Sequence, residues 1–218
     1  MAVMEADRAK RSRVHAALSD ASRLAIVDEL SLSDRAPSEL AARLGLAGNL
    51  LAHHLDVLEQ VGLIVRFESS GDRRRRYVRL DRQPLHALGL PIASAPSSVL
   101  FVCTHNSARS QLASALWKER IGTPASSAGT HPADRVHPDA VAAGARLGLD
   151  LSHAAPSLIA GPLHTVQVVT VCDRAYEELD PDPSWWHWSL PDPVEADDPR
   201  AFDAVLADLD SRISTHIT

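Results

Sequence analysis

The stretch Ser98–Cys103, SVLFVC, is an unbroken apolar run that ends in a cysteine. Short, β-branched and without polar alternation, it reads as a strand buried on both faces, expected over about residues 98–102. The next residues, THNSARSQ, are polar, and LASALWKERI follows. A helix is expected to begin near Ser107–Arg109 and to run to about Ile121. A strand, a short loop and a helix in this order make one unit of a parallel α/β sheet, in which the C-terminal ends of the strands gather round the active site.

The loop between strand and helix has its own chemistry. Its backbone N–H groups, from Thr104, His105, Asn106, Ser107 and Ala108, can converge on one point and form an anion cradle at a helix N-terminus. A thiol at Cys103 faces the positive end of the helix and Arg109, and both favour thiolate. Arg109 can grip two oxygens of a tetrahedral oxyanion. Ser110 can hydrogen-bond the sulfur and help it leave. Cys-x5-Arg-Ser thus supplies one attacking atom and several that hold the oxyanion. The plainer alternative is a buried strand-end cysteine with a surface arginine.

The remainder of the 218-residue chain divides by charge. Residues 1–90 carry 14 Lys/Arg against 12 Asp/Glu, and residues 91–218 carry 8 against 16. Such asymmetry points to two modules with different partners. GLPIASAPSS, Gly89 to Ser98, has the composition of a junction, so the expected domains are 1–90 and 98–218 with a linker at 91–97. No run of 18 apolar residues exists, so no membrane span is expected. The N-terminus lacks the apolar core of a secretion signal. Two cysteines make no disulfide framework, which points to the reducing cytoplasm.

Helices are expected over residues 8–18 and 20–31, the second capped by Asp20 or Ser22 with Leu24, Ile26, Val27 and Leu30 as its apolar face. A third starts at Pro37–Ser38 and stops at Gly45, and a fourth, NLLAHHLDVLEQVGLI, ends at Gly62. Two short helices joined by a tight turn form a helix-turn-helix. LIVRFES and RRRRYVRL then read as a β-hairpin, or wing, turning at Ser69–Asp72. Its tip carries Arg73, Arg74, Arg75 and Arg76, a set suited to phosphate contacts across a groove, or to a solvated edge that resists aggregation.

LAARLGLAGNLLAHHLDVLEQVGLI with the basic hairpin resembles the winged-helix repressors of the ArsR family, over roughly residues 8–80. That resemblance implies a homodimer on double-stranded promoter DNA, with the second helix of the pair in the major groove. The base-reading positions would be Asn49, His53 and His54, with the wing arginines on the backbone; the alternative is that one of the two histidines packs internally. Leu50 and Ala52 stand where the family often has hydroxyl residues. Many members sense arsenite through a cysteine pair, and here that stretch has Ser31 and Ser33, poor soft-metal ligands. His15 and His86 are isolated, so no metal site is expected.

The second module resembles the low-molecular-weight protein tyrosine phosphatases over roughly residues 98–215, and among them the arsenate reductases. CTHNSARSQ carries the nucleophile Cys103, the loop Asn106, Arg109 and Ser110, and Gln111 has the reductase flavour. SSAGTHPADRVHPDAVAAGARLGLDLS resembles the family's second strand, loop and helix, and VQVVTVCD reads as another buried parallel strand. WSLPDP resembles the loop of the general acid, which makes Asp192 the proton donor; the other Asp-Pro pairs, at Asp180, Asp182 and Asp198, read as turns. Cys172 matches the first resolving cysteine of thioredoxin-coupled members, or is a small buried apolar residue. Those members have a third cysteine where this chain has Leu179. Turnover would then draw on an external thiol reductant, thioredoxin-like or of low molecular weight, which either attacks Cys103 directly or opens a Cys103–Cys172 disulfide, with no other cofactor. Trp185, Trp186 and Trp188 either wall the pocket or pack its loop against the body. A terminal amphipathic helix should bury Phe202, Val205, Leu206, Leu209 and Ile213.

The expected protein is a cytoplasmic regulator, a winged helix on DNA followed by an α/β phosphatase-fold domain that binds arsenate or phosphate. Three other readings stay open: an arsenate reductase whose winged helix mainly dimerises, a sensor with a dead catalytic domain, and a tyrosine phosphatase.

Overall fold

The computed structural model describes residues 2–86, 95–161, 163–196 and 198–214, with residues 2–7 and His86 as backbone alone. Most of the expected linker, and the side chain of His86, lie outside the described residues.

The chain forms two compact units. In the first, α1 (Ala2–Leu18), α2 (Ala21–Leu32), α3 (Pro37–Leu44) and α4 (Gly48–Gln60) precede an antiparallel hairpin of β1 (Ile64–Glu68) and β2 (Arg76–Leu80), and a short α5 (Gln83–His86) follows. Asp20 caps α2, its carboxylate accepting the Arg23 N–H at 3.0 Å. Pro37 opens α3, and Gly45, at φ 64°, closes it in the left-handed conformation that glycine adopts without strain. Ile26, Val27, Leu30, Leu40, Leu51, Leu55 and Leu58 form one core with Ile64, Val78 and Leu80 of the hairpin. Leu24 departs from expectation: it is 45% exposed. At 100° per residue it sits roughly 110° from the centre of the Ile26–Val27–Leu30 stripe, off the buried face.

The second unit holds a four-stranded parallel sheet of β3 (Val99–Cys103), β4 (Ala125–Gly129), β5 (Gln167–Thr170) and β6 (Trp186–His187), in the order β4-β3-β5-β6. Its helices are α6 (Arg109–Arg120), α7 (Pro138–Arg146), α8 (Asp173–Glu178) and α9 (Arg200–Ser214). The chain leaves β3 for β4 on one side and then crosses to β5 on the other. The strand order therefore reverses at β3, and such a switch point opens a crevice at the strand C-termini. Cys103 ends β3, and Cys172 lies two residues beyond β5. Phe101 packs between Trp117 and Trp188, each ring centroid 5.7 Å away. Trp188 is fully buried, and Trp185 and Trp186 are 8% exposed, so all three tryptophans belong to the packed body. The buried side of α9 is the expected one, from Phe202 to Ile213.

Candidate active site and helix-turn-helix surface

The loop after β3 turns its carbonyls outward. Cys103 O accepts the Thr130 N–H at 3.2 Å, Thr104 O that of His131 at 2.8 Å, His105 O that of Ala133 at 2.9 Å and Ser107 O that of His137 at 2.8 Å. Asn106 O accepts Gln111 Nε2 at 3.1 Å. With five successive carbonyls satisfied on one side, the N–H groups are left for the concave side. The next helix adds to this. No side chain caps α6, so its first N–H groups are available to an anion.

Cys103 is buried at the base of this cradle. Its Sγ accepts the Asn106 N–H at 3.1 Å and lies 3.0 Å from Ser110 Oγ. Asn106, wholly buried, has a φ of 47°, and Asn tolerates this left-handed conformation better than most side chains. Its Nδ2 donates to Ser110 Oγ at 2.7 Å. Gly129 on β4 allows the loop to lie this close: a Cβ there would stand 2.6 Å from Thr104 O. The sequence hint for Gly129 is only a glycine at the end of a strand pattern, which marks close backbone approach.

Arg109 is 6% exposed and spans to the 190s loop. Its two terminal nitrogens donate to Leu190 O at 3.0 Å and to Asp192 Oδ2 at 2.5 Å. Asp192 is thus the Asp-Pro aspartate that the fold brings to the arginine. Asp182 accepts from Ser184 and Asp198 from the start of α9, both local turn bonds. A cavity of about 150 Å³ opens beside Cys103, lined by His105, Ser107, Arg109, His137, Asp192 and Glu195 among others. No Phe, Tyr or Trp lines it among the described residues. His137, held as the N-cap of α7 and stacked on Phe202 at 5.2 Å, and Glu195 were not anticipated from sequence.

Cys172 is a buried free thiol whose Sγ lies 3.4 Å from Thr104 Oγ1. It caps α8, accepting the Ala175 N–H at 3.3 Å. Burial pushes this thiol up, against an opposing pull from Arg109. Asp173, one residue on, is also buried. Burial raises its carboxyl, but the His187 ring, Nε2 3.2 Å from Oδ1, and a hydrogen bond from Ser189 outweigh it and hold the group at about 2. Thr170 Oγ1 lies 2.9 Å from the other ring nitrogen of His187, and Tyr176 stacks on that ring at 4.2 Å. Sequence periodicity carries no signal for this pair, because β6 is only two residues long.

Residues 98–217, more than half of the chain, match the family profile described as low molecular weight phosphotyrosine protein phosphatase. The chain belongs to that family. Among solved structures, this phosphatase-family chain is similar to an arsenate reductase from Archaeoglobus fulgidus, at 31% identity over 53% of this chain and 94% of that one, with a TM-score of 0.45. It is also similar to the tyrosine phosphatase AmsI of Erwinia amylovora, at 16% identity over 56% and 91%, with a TM-score of 0.49. The tyrosine phosphatase Wzb of Escherichia coli K30, in complex with sulphate, matches at 20% identity over 55% and 95%, with a TM-score of 0.48. No curated protein matches the sequence.

Residues 18–66 match a helix-turn-helix domain. The helices of that motif are α3 and α4, and the hairpin follows as the wing. On α4, Asn49 and His53 are exposed. His54 is the histidine that packs inward. It is only 6% exposed, with Nδ1 3.7 Å from the Asp20 carboxylate. One residue is a 100° rotation on a helix, enough to turn His54 from the outer face of α4 onto the core face of Leu51, Leu55 and Leu58. Arg73, Arg74, Arg75 and Arg76 are all exposed. Arg66 of β1 bonds Asp56 of α4 at 2.6 Å and ties wing to helix.

Proposed function

We propose that the chain is a transcriptional repressor of ArsR type whose phosphatase-family domain takes arsenate at Cys103 and couples it to release of DNA. Domains 1–90 and 98–218, joined by 91–97, act as a cytoplasmic homodimer on promoter DNA. Asn49 and His53 read bases, and Arg73 to Arg76 hold phosphates.

The observation that carries the arsenic reading is the second thiol. Hydrolysis of a phosphate ester by this kind of site uses one cysteine, and reduction of arsenate takes two electrons, supplied by two thiols. Cys172 stands beside the residue that follows the nucleophile. With its thiol pushed up by burial, it stays protonated at neutral pH and does not compete for the first step. The lining of the cavity supports an inorganic anion: among the described residues no Phe, Tyr or Trp faces it, so no such ring stacks on an aryl group there.

In the reaction, arsenate displaces the Asp192 carboxylate from Arg109 and settles on the loop N–H groups. The freed Asp192 carboxylate takes a proton from dihydrogen arsenate, the Cys103 thiolate attacks arsenic(V), and Asp192 returns that proton to the departing hydroxyl, which leaves as water. Cys172 gives its proton to an arsenic-bound oxygen and attacks the Cys103 sulfur. The S–As bond breaks, its electron pair stays on arsenic, and arsenite leaves. The Cys103–Cys172 disulfide that remains is opened by an external thiol reductant. With Leu179 where a third cysteine would be needed, no internal relay moves the disulfide outward.

The test is fluorescence anisotropy of labelled DNA from the region upstream of the chain's own gene, at fixed salt. Wild type and Cys103→Ser are titrated with arsenate, arsenite, phosphate or buffer. Release by arsenate from wild type alone supports the reading. Tight DNA binding that no oxyanion changes refutes the coupling. Family membership favours a second reading, a tyrosine phosphatase. It predicts aryl phosphate hydrolysis that survives Cys172→Ser, whereas arsenite production would not. Arsenate binding without turnover would mark a sensor.

A further inference from the structure

We infer that Gln111 is a positioning residue for the nucleophile: its side-chain amide fixes the orientation of Asn106, and through Asn106 it aims the Ser110 proton at the Cys103 sulfur. This rests on Cys103 being the nucleophile.

The direction of each hydrogen bond follows from the one before. Gln111 is 6% exposed, and its Nε2 lies 3.1 Å from three oxygens: Asn106 O, Asn106 Oδ1 and Ala155 O. An amide turned the other way would set its own carbonyl against three acceptors, so the amino end must face them. Asn106 Oδ1 also accepts the Ser157 N–H at 2.8 Å. Two donors identify that atom as the oxygen, so Nδ2 is the end that donates to Ser110 Oγ at 2.7 Å. Ser110 has one hydroxyl hydrogen. With a donor already pointing at its oxygen, that hydrogen goes to the neighbouring acceptor, Cys103 Sγ at 3.0 Å. The sulfur then receives two donors, Ser110 O–H and Asn106 N–H. Hydrogen bonds to a charged acceptor are the stronger kind, so both favour thiolate over thiol.

Gln111 also bonds the main-chain carbonyl of Asn106, the residue held at positive φ. One side chain thus steadies the backbone of the cradle and sets the polarity of the chain of bonds behind the sulfur. It never touches the oxyanion.

The test is the alkylation rate of Cys103 in the full chain carrying Cys172→Ser, followed with the pH midpoint of the ultraviolet thiolate absorbance. Gln111→Met, similar in size but with no donor, is expected to slow alkylation at neutral pH roughly fivefold and to move the midpoint upward. Gln111→Glu keeps the shape and offers only acceptors to Asn106 Oδ1, so the expected loss is larger, about tenfold. It also serves as the second variant should Gln111→Met fail to fold. In the Ser110→Ala background neither change should slow alkylation further, because the route to sulfur is already cut. Parent-like rates for Gln111→Met and Gln111→Glu, or equal losses with and without Ser110, would overturn the inference alone. A parent whose Cys103 reacts no faster than a small free thiol would overturn the nucleophile reading, and the inference with it.

Discussion

Gly129→Ala is expected to disable the oxyanion loop while leaving the fold standing. The added Cβ would lie 2.6 Å from Thr104 O, 3.0 Å from Asn106 Cβ and 3.1 Å from Asn106 N. Ordinary contact begins at 3.4 Å, so the Thr104 carbonyl must withdraw by 0.8 Å. It cannot move alone. It accepts the His131 N–H, and the carbonyls on either side of it accept Thr130 and Ala133. The loop therefore shifts as a piece and takes the N–H groups and Cys103 with it. A misplacement near 1 Å at reacting atoms costs about 100-fold, and overpacking of this kind costs about 1–3 kcal/mol. Gly129 is not among the positive-φ glycines, so the effect is steric. The assay is protection of Cys103 from alkylation by phosphate, with thermal unfolding measured on the same samples. The expected result is at least tenfold weaker protection and a melting point lower by several degrees. Undiminished protection by phosphate would refute the claim that the β4–loop contact sets the cradle.

Asp173→Asn tests the buried pair with His187. A carboxyl held at about 2 instead of 3.8 contributes about 2 kcal/mol of stability. Because the folded value is depressed, that contribution is full above the unfolded value near 4 and disappears as pH falls through about 2. Chemical denaturation should therefore show the wild-type advantage over Asp173→Asn at neutral pH and lose it in strong acid; a gap independent of pH would refute the pairing. For the adjacent histidines, His53→Ala should weaken DNA binding with unchanged stability, whereas His54→Ala should lower stability by about 1–3 kcal/mol; the reverse pattern in paired anisotropy and denaturation measurements would invert the assignment of α4's faces. Replacing Arg74 and Arg75 together by Ala should lower the slope of log affinity against log salt by about 0.9 for each phosphate left without its arginine. An unchanged slope would remove the wing from the DNA interface.

The short-range parts of both sites are legible in the chain. Cys103, Asn106, Arg109 and Ser110 lie within eight residues, across one strand end, one loop and one helix start. Their geometry is set by local backbone preferences, so spacing is enough to name them. The helix ends at Asp20, Pro37, Gly45 and Gly62 are legible for the same reason, since capping and left-handed glycine act over one turn. The inward side of α4 is legible by spacing as well, since His54 shares the face of Leu51, Leu55 and Leu58 and His53 does not; only the partner His54 meets there, Asp20, comes from another helix.

Tertiary structure decided the rest. Cys172, Asp192, Gly129 and Ser157 come from later strands and loops, and no local pattern links them to Cys103. They meet because the parallel order β4-β3-β5-β6 reverses at β3 and sends the neighbouring strand ends to the same crevice. The sequence alone determined which atoms can attack and which can grip an anion, because those are properties of residue type and near spacing. Which thiol stands beside the loop, which aspartate reaches Arg109 and which way the Asn106 amide points were settled only by packing. These depend on contacts between segments tens of residues apart, fixed together only when the sheet and its helices exclude water from the space between them.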